Sequence, residues 1–330
     1  MKKNKIVDIL KWSWMVLVLG AGIWYIVKNY QPALAYLRTL KTGGLLLSIF
    51  FIILSRLLNV DLIRESVKEV GWKPGKLEMF SLISITQLGK YVPGGIWQFA
   101  ARFGAYKSNQ LTVKKMGKAF FLENVWVVLG GAMGGLFFLL LGDPRNLLQK
   151  IGIQLPAQLI LPLVLLCIVL WLAGIFIFQR ISHKEDPVKH SLWRTLRLFA
   201  NHFLMYLTMG VSFFLLFTFL GLDDLFFTVG GYIISYLAGY VAIFAPGGIG
   251  VREVVSVALF AGLAPQAELA AITIVHRLLY TLIEFAMGLL GFILTRTQKT
   301  TIPVITPSPA GESDLTGDSP GDPPRKSSLT

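Results

Sequence analysis

The sequence predicts an all-α polytopic membrane protein with about six full transmembrane helices and two re-entrant, broken hairpins, arranged as an inverted repeat. Three observations predict it. Apolar residues make up 54% of the 330 and charged residues only 15%, against roughly 25% charged in soluble domains. The apolar residues run together over Trp12–Val27, Ala157–Phe178, Leu198–Leu220 and, interrupted at Glu284, Leu278–Thr295; about 20 such residues cross a ~30 Å hydrocarbon core. Pro93-Gly94-Gly95-Ile96 recurs as Pro246-Gly247-Gly248-Ile249, 153 residues on.

Taken in order, the first span is Trp12–Val27, preceded by Lys2, Lys3, Lys5 and Lys11. The small-residue pattern Ala33-Leu34-Ala35 resembles a signal cleavage site, but the run is long for the apolar part of a signal, so the helix is read as a retained span. Residues 43–60 form the second span. Met79–Tyr91 leads into the first Pro-Gly-Gly break, Trp97–Tyr106 leaves it as a short amphipathic helix, and a long span follows with Glu123 placed 30 residues after Pro93. This completes a first unit, 1–142. The second unit, 156–296, repeats the order: spans 157–178 and 198–220, Phe226–Ala245 into the break, Val251–Leu263 out of it, then 266–294 with His276 placed 30 residues after Pro246. Residues 301–330 are rich in Pro, Gly, Ser and Asp without apolar periodicity, the composition of a disordered tail.

Basic residues orient the chain. If each Pro-Gly-Gly hairpin enters and leaves on one face and the N-terminus is cytoplasmic, the inside segments (1–11, 61–78, 102–118, 179–197, 295–300) hold 20 Lys and Arg. The outside segments (28–42, 142–156, 221–225) hold 5. Such an excess inside is the expected asymmetry. A first hairpin that crossed once would put Arg102, Lys107, Lys114, Lys115 and Lys118 outside, so re-entry is the better reading. Each unit then crosses three times, which inverts the second relative to the first and leaves both termini cytoplasmic. The net charge of +13 thus reports cytoplasmic loops, and nucleic acid is not an expected partner.

The breaks are where chemistry is expected. Irregular backbone in hydrocarbon leaves N–H and C=O groups unpaired unless protein or water satisfies them, so a break at membrane depth should line a polar cavity. Proline ends the first half-helix, glycines permit left-handed backbone, and the next helix begins with free N–H groups that favour an anion. Inverted repeats whose broken helices meet near the midplane are a recurring transporter design. The candidate binding residues are Lys90, Pro93, Gly94, Gly95 and Arg102 at the first break, and Pro246, Gly247, Gly248, Gly250, Arg252 and Glu253 at the second. Arg102 follows Gly95 by seven residues and Arg252 follows Gly248 by four, on the glycine's face in each case. Lys90 and Arg102 also lie close enough to the cytoplasmic edge to snorkel, and Arg56 reads as such an anchor. Glu253 points to another face, toward a different helix.

His276, Tyr280 and Glu284 fall at i, i+4 and i+8 on one stripe, with Arg277 adjacent. Ionisable residues this deep mark a pathway or relay, so these four, with Glu123 and Asn124, are candidates for gating or proton transfer. The alternative is structural: an Arg277–Glu284 pair, or bonds to Glu123 and Asn124, that hold the bundle. His183, His190 and His202 read as solvated or interfacial residues of the 179–197 loop and its edge. Cys167 is the single cysteine, which excludes a disulfide framework or thiolate metal site. The chain has no metalloprotease, nucleophile-elbow or P-loop motif, so neither an enzyme nor a cofactor or metal is expected.

The segments Gly89-Lys90-Tyr91-Val92-Pro93-Gly94-Gly95-Ile96-Trp97, Arg102, Leu111–Lys115 and Ala245-Pro246-Gly247-Gly248-Ile249-Gly250-Val251-Arg252-Glu253 resemble the lysylphosphatidylglycerol synthase transmembrane family, over about 1–296. The resemblance implies a flippase-like protein of the bacterial plasma membrane that moves or presents an anionic lipid between leaflets. Full-length synthases of that family carry a cytosolic transferase domain after the membrane region, whereas here only the tail follows Thr295, so synthase activity is not implied. The alternative reading is a non-transporting scaffold for envelope-synthesis enzymes. A membrane transferase is a minor third, with only Asp223-Asp224 to offer as acidic loop residues.

Overall fold

The computed structural model describes residues 31, 34–91, 97–150, 152–182, 192–218, 220–242, 245–248 and 250–297. The expected first span, the Pro93-Gly94-Gly95 break, His183, His190 and the 301–330 tail lie outside the described residues. Within them the chain is helical: α1 (Thr42–Lys68), α2 (Lys76–Thr86) running into a 3-10 turn (Gln87–Tyr91), α3 (Trp97–Ser108), α4 (Val113–Leu141), α5 (Arg145–Lys150), α6 (Ile160–Ser182), α7 (Leu192–Phe214), α8 (Leu225–Val241), a 3-10 turn (Pro246–Gly248), α9 (Val251–Leu259) and α10 (Gln266–Thr297).

Among the described residues, five segments are long and apolar enough to cross a membrane: Thr42–Lys68, Val113–Leu141, Ala157–Arg180, Leu222–Val241 and Gln266–Thr295. Leu46, Leu161, Val169 and Leu282 stand exposed on them, as lipid-facing side chains do. The chain therefore fits a multi-pass membrane protein. Two elements differ from the expected layout. Leu222–Val241, expected as one arm of a re-entrant hairpin, is itself of spanning length. The span expected at 198–220 is instead α7, which starts at Leu192 and takes in Arg194, Arg197, Asn201 and His202. These polar residues turn inward or toward α1. His202 is fully buried, its Nδ1 2.8 Å from the Leu198 carbonyl and its ring beside Trp126. It is a core residue, not an interfacial one.

Helix α1 also runs past the expected end at residue 60, because its last two turns are neutralised in place. Lys68 pairs with Glu65 at 2.6 Å, and Arg194 of α7 reaches Glu69 at 2.5 Å. Higher up the same interface, Ser48 and Ser55 donate to the carbonyls of Ser212 and Met205 (2.7 and 3.1 Å).

The remaining large contacts couple helices distant in sequence. The pre-break helix α8 lies along α4, and the pre-break helix α2 lies along α10. Glycines set both approaches. A Cβ on Gly230 of α8 would sit 2.4 Å from the Leu139 amide of α4. One on Gly288 of α10 would meet the Leu88 side chain at 2.6 Å. Apolar lipid tails give helices little hydrophobic reason to associate, so close backbone packing through small residues takes over. These contacts bring the Gln87–Tyr91 turn against the Pro246–Gly248 turn, and the site lies there.

Candidate functional site

Left-handed backbone shapes the second break: Gly247, Gly248 and Gly250 have φ of 59°, 72° and 86°. At Gly248 a side chain is excluded twice over, since its Cβ would also lie 2.7 Å from the Gly239 carbonyl of α8. The first turn of helix α9 carries Glu253, whose Oε2 accepts from the Gly250 amide at 2.8 Å. Its Oε1 takes Arg277 of α10 at 2.5 Å, and Arg277 also donates to the Gly247 carbonyl at 3.3 Å. Glu253 and Arg277 thus clamp the break to α10. Glu253 does turn to another helix, as its face predicts, and the Arg277–Glu284 pair does not form.

Arg252 is held differently. Its stem crosses Gly239, where a Cβ would come within 2.3 Å of the arginine Cγ, and its guanidinium lies 4.3 Å over the Tyr236 ring. The buried Nε has no hydrogen-bond partner among the described residues, and no carboxylate there forms an ion pair with it.

On the facing side, the Gln87–Tyr91 turn folds back on the start of α3: a Cβ on Gly89 would be 2.5 Å from the Gln98 amide. This leaves Lys90 and Tyr91 pointing at Glu284 of α10. Lys90 Nζ is 2.6 Å from the carboxylate, and the Tyr91 hydroxyl donates to it at 2.5 Å. Arg56 of α1 reaches the same carboxylate at 3.4 Å, donates to Gln87 Oε1, and lies 3.5 Å from the Tyr280 hydroxyl. Arg56 is 4% exposed, so it is a member of the centre and not a snorkelling anchor. Its position midway along the 27-residue α1 is the sequence signal that it lies too deep to reach an interface.

Arg102 takes neither of its expected roles. It is buried in an ion pair with Glu123, which also accepts from Tyr106 at 3.5 Å, and so fastens α3 to α4. Asn124 accepts from Tyr240 of α8 at 2.7 Å and donates to the Phe120 carbonyl; neither it nor Glu123 reaches Glu284. His276 is buried with both ring nitrogens engaged, Nε2 with Ser212 Oγ at 2.8 Å and Nδ1 with the Tyr232 hydroxyl at 2.9 Å. The stripe His276–Tyr280–Glu284 therefore joins three environments: an aromatic and hydroxyl cluster, the Arg56 guanidinium and the Lys90 ammonium.

Between the two turns lies a cavity of about 340 Å³. Lys90, Arg252, Gly247 and Gly248 line it together with Gln98, Asn124, Tyr236 and Tyr240. Val128 and Val241, both exposed, also line it. A cleft of about 20 Å³, room for roughly one water, adjoins it between Lys90, Tyr91, Arg252 and Arg277. Around these spaces stand four cations (Arg56, Lys90, Arg252, Arg277) and two carboxylates (Glu253, Glu284), an excess of two positive charges. Gln87, Tyr91, Tyr236 and Tyr240 were not legible as site residues, because amides and tyrosines near membrane helix ends are common. Comparison with protein-family models and with curated proteins returns no match for this chain.

Proposed function

We propose that this protein is a flippase-like membrane protein that moves or presents an anionic lipid between the leaflets of a bacterial plasma membrane, the lipid head resting in the cavity between the two turns. The observation that carries the reading is the excess of two positive charges at a largely buried site, with Arg252 outside every ion pair among the described residues. Buried charge without compensation is costly, and an entering phosphate would relieve that cost through charge-assisted hydrogen bonds. The exposed apolar side chains of Val128 and Val241 in the lining suit a ligand whose tail stays in the bilayer.

The proposed inverted repeat is supported by how the helices pair. The pre-break helix of each unit packs on the long span of the other, α2 on α10 and α8 on α4. Each break helix is also tied to the span that follows it by one ion pair of opposite polarity, Arg102–Glu123 and Glu253–Arg277. The first break, cytoplasmic termini and kinship with the lysylphosphatidylglycerol synthase transmembrane family belong to the same proposal. No cofactor is part of it.

The test is reconstitution into liposomes containing a trace of fluorescent anionic phospholipid or lipid-linked glycan. Scrambling faster than in protein-free vesicles is expected, with Arg252→Gln slower by about tenfold or more, the loss of one charge-assisted hydrogen bond of ~1.5 kcal/mol or more. Rates equal to protein-free vesicles across both lipid types would overturn the reading.

A further inference from the structure

The cavity is larger than an anion needs. Its volume of about 340 Å³ is many times the roughly 10–15 Å³ that admits one water, so a phosphate beside Lys90 and Arg252 would leave most of it to the rest of the head. The remaining polar lining residues are uncharged. Gln87 uses its carbonyl to accept from Arg56, which leaves its NH2 to donate. Asn124 spends one N–H on the Phe120 carbonyl and keeps the other. Tyr240 donates to Asn124 and keeps its oxygen lone pairs, while Gln98 adds both halves of an amide. The lining therefore offers both donors and acceptors. A phosphate oxygen only accepts and an ammonium only donates, whereas a hydroxyl does both. Tyr236 and Tyr240 stack with centroids 6.4 Å apart and planes 19° from parallel, which adds aromatic surface to the lining. None of the described lining residues is Asp or Glu, so an amine would enter an excess of positive charge with no carboxylate to meet it.

Resting on the reading that the centre holds an anion, we propose that the head it accepts is a hydroxyl-bearing phosphate, a sugar or polyol phosphate, and not an aminated one. The phosphate sits between Arg252, Lys90 and the Gly247–Gly248 backbone, and the hydroxyls bind along Gln98, Asn124 and Tyr240.

The full-length protein in neutral phosphatidylcholine nanodiscs can be titrated calorimetrically with inorganic phosphate, glucose 1-phosphate, glycerol 3-phosphate and phosphoethanolamine. Glucose 1-phosphate or glycerol 3-phosphate should bind at least tenfold tighter than inorganic phosphate and phosphoethanolamine, and whichever is tighter names the source of the hydroxyls. Gln98→Ala, which removes no side-chain hydrogen bond among the described residues, should lower that preference to threefold or less and leave phosphate affinity unchanged. Equal affinities for all four probes, or phosphoethanolamine as the tightest, would overturn the hydroxyl assignment and leave the anion site standing. Binding of none of the four would remove the anion site, and this inference with it.

Discussion

Arg252 and Arg102 show how two arginines beside similar breaks acquire different work. Arg102 has a buried carboxylate and forms a fastener; Arg252 has a glycine beneath it and an aromatic face beside it, and keeps its charge available. Two predictions follow from that contrast. Gly239→Ala puts a methyl group where the Arg252 stem lies, so it should displace the guanidinium and depress lipid scrambling about as far as Arg252→Gln, while the thermal unfolding midpoint in detergent falls little. Normal scrambling by Gly239→Ala would mean that Arg252 does not act from its position over Tyr236. Arg102→Leu leaves Glu123 buried alone and should cost ~3–5 kcal/mol, whereas Arg102→Leu with Glu123→Leu should recover most of that stability, because a buried pair is worth little more than the apolar pair replacing it. Scrambling should return with stability in the double variant. Failure to return would restore Arg102 to the ligand.

Elements, in contrast to single residues, take their places from approaches that only small side chains permit. Helix α8 meets α4 at Gly230, where a Cβ would lie 2.4 Å from a backbone amide and 2.9 Å from the Gly135 carbonyl. Backbone does not yield as a side chain would, so Gly230→Ala should destabilise by ~1–3 kcal/mol, read as a lowered unfolding midpoint, and should loosen the wall that carries Tyr236 and Tyr240. An unchanged midpoint would show that α8 can slide along α4. The order of these elements was legible: apolar runs placed α1, α4, α6 and α10, and the Pro-Gly-Gly repeat placed the second break and the helix after it. Charge pairing was not. Glu284 shares a stripe with His276 and Arg277 neighbours them, yet the partners of Glu284 come from α1 and the turn after α2, and that of Arg277 from α9. Periodicity gives the face of one helix, whereas pairing depends on which helices meet. The end of α1 was misplaced for a related reason. Asp61–Lys68 looks like a charged loop until α7 supplies Arg194 and Arg197 to neutralise its acids.

That same contact is where the molecule as a whole becomes sensitive to pH. Helix α1 belongs to the proposed first unit and α7 to the proposed second, and their ends are joined by Asp61, Glu65 and Glu69 facing Arg194, Arg197 and Asn201, with Lys68 and Lys118 close by. Glu69, just beyond α1, has its carboxyl pushed up to about 7 from 4.5, because burial and the neighbouring Glu65 outweigh the attraction of Arg194 and Lys118. Between those values the folded chain holds a proton that the unfolded chain has released. The contribution of Glu69 to stability is therefore greatest below pH 4.5 and declines as pH rises toward about 7, above which both states are ionised. Above that window the charged carboxylate pairs fully with Arg194; within it, the α1–α7 junction loses part of its ionic tie without losing the serine bonds higher up. Glu69→Gln stays neutral throughout. Measured across about pH 5 to 8, the wild-type unfolding midpoint should fall relative to that of the variant, and a protonated-carboxyl band in the infrared spectrum should titrate near neutrality in the wild type and be absent from the variant. Parallel midpoints and no such band would mean that Arg194 keeps Glu69 ionised, and the junction between the two units would then be indifferent to pH in the range where a cell works.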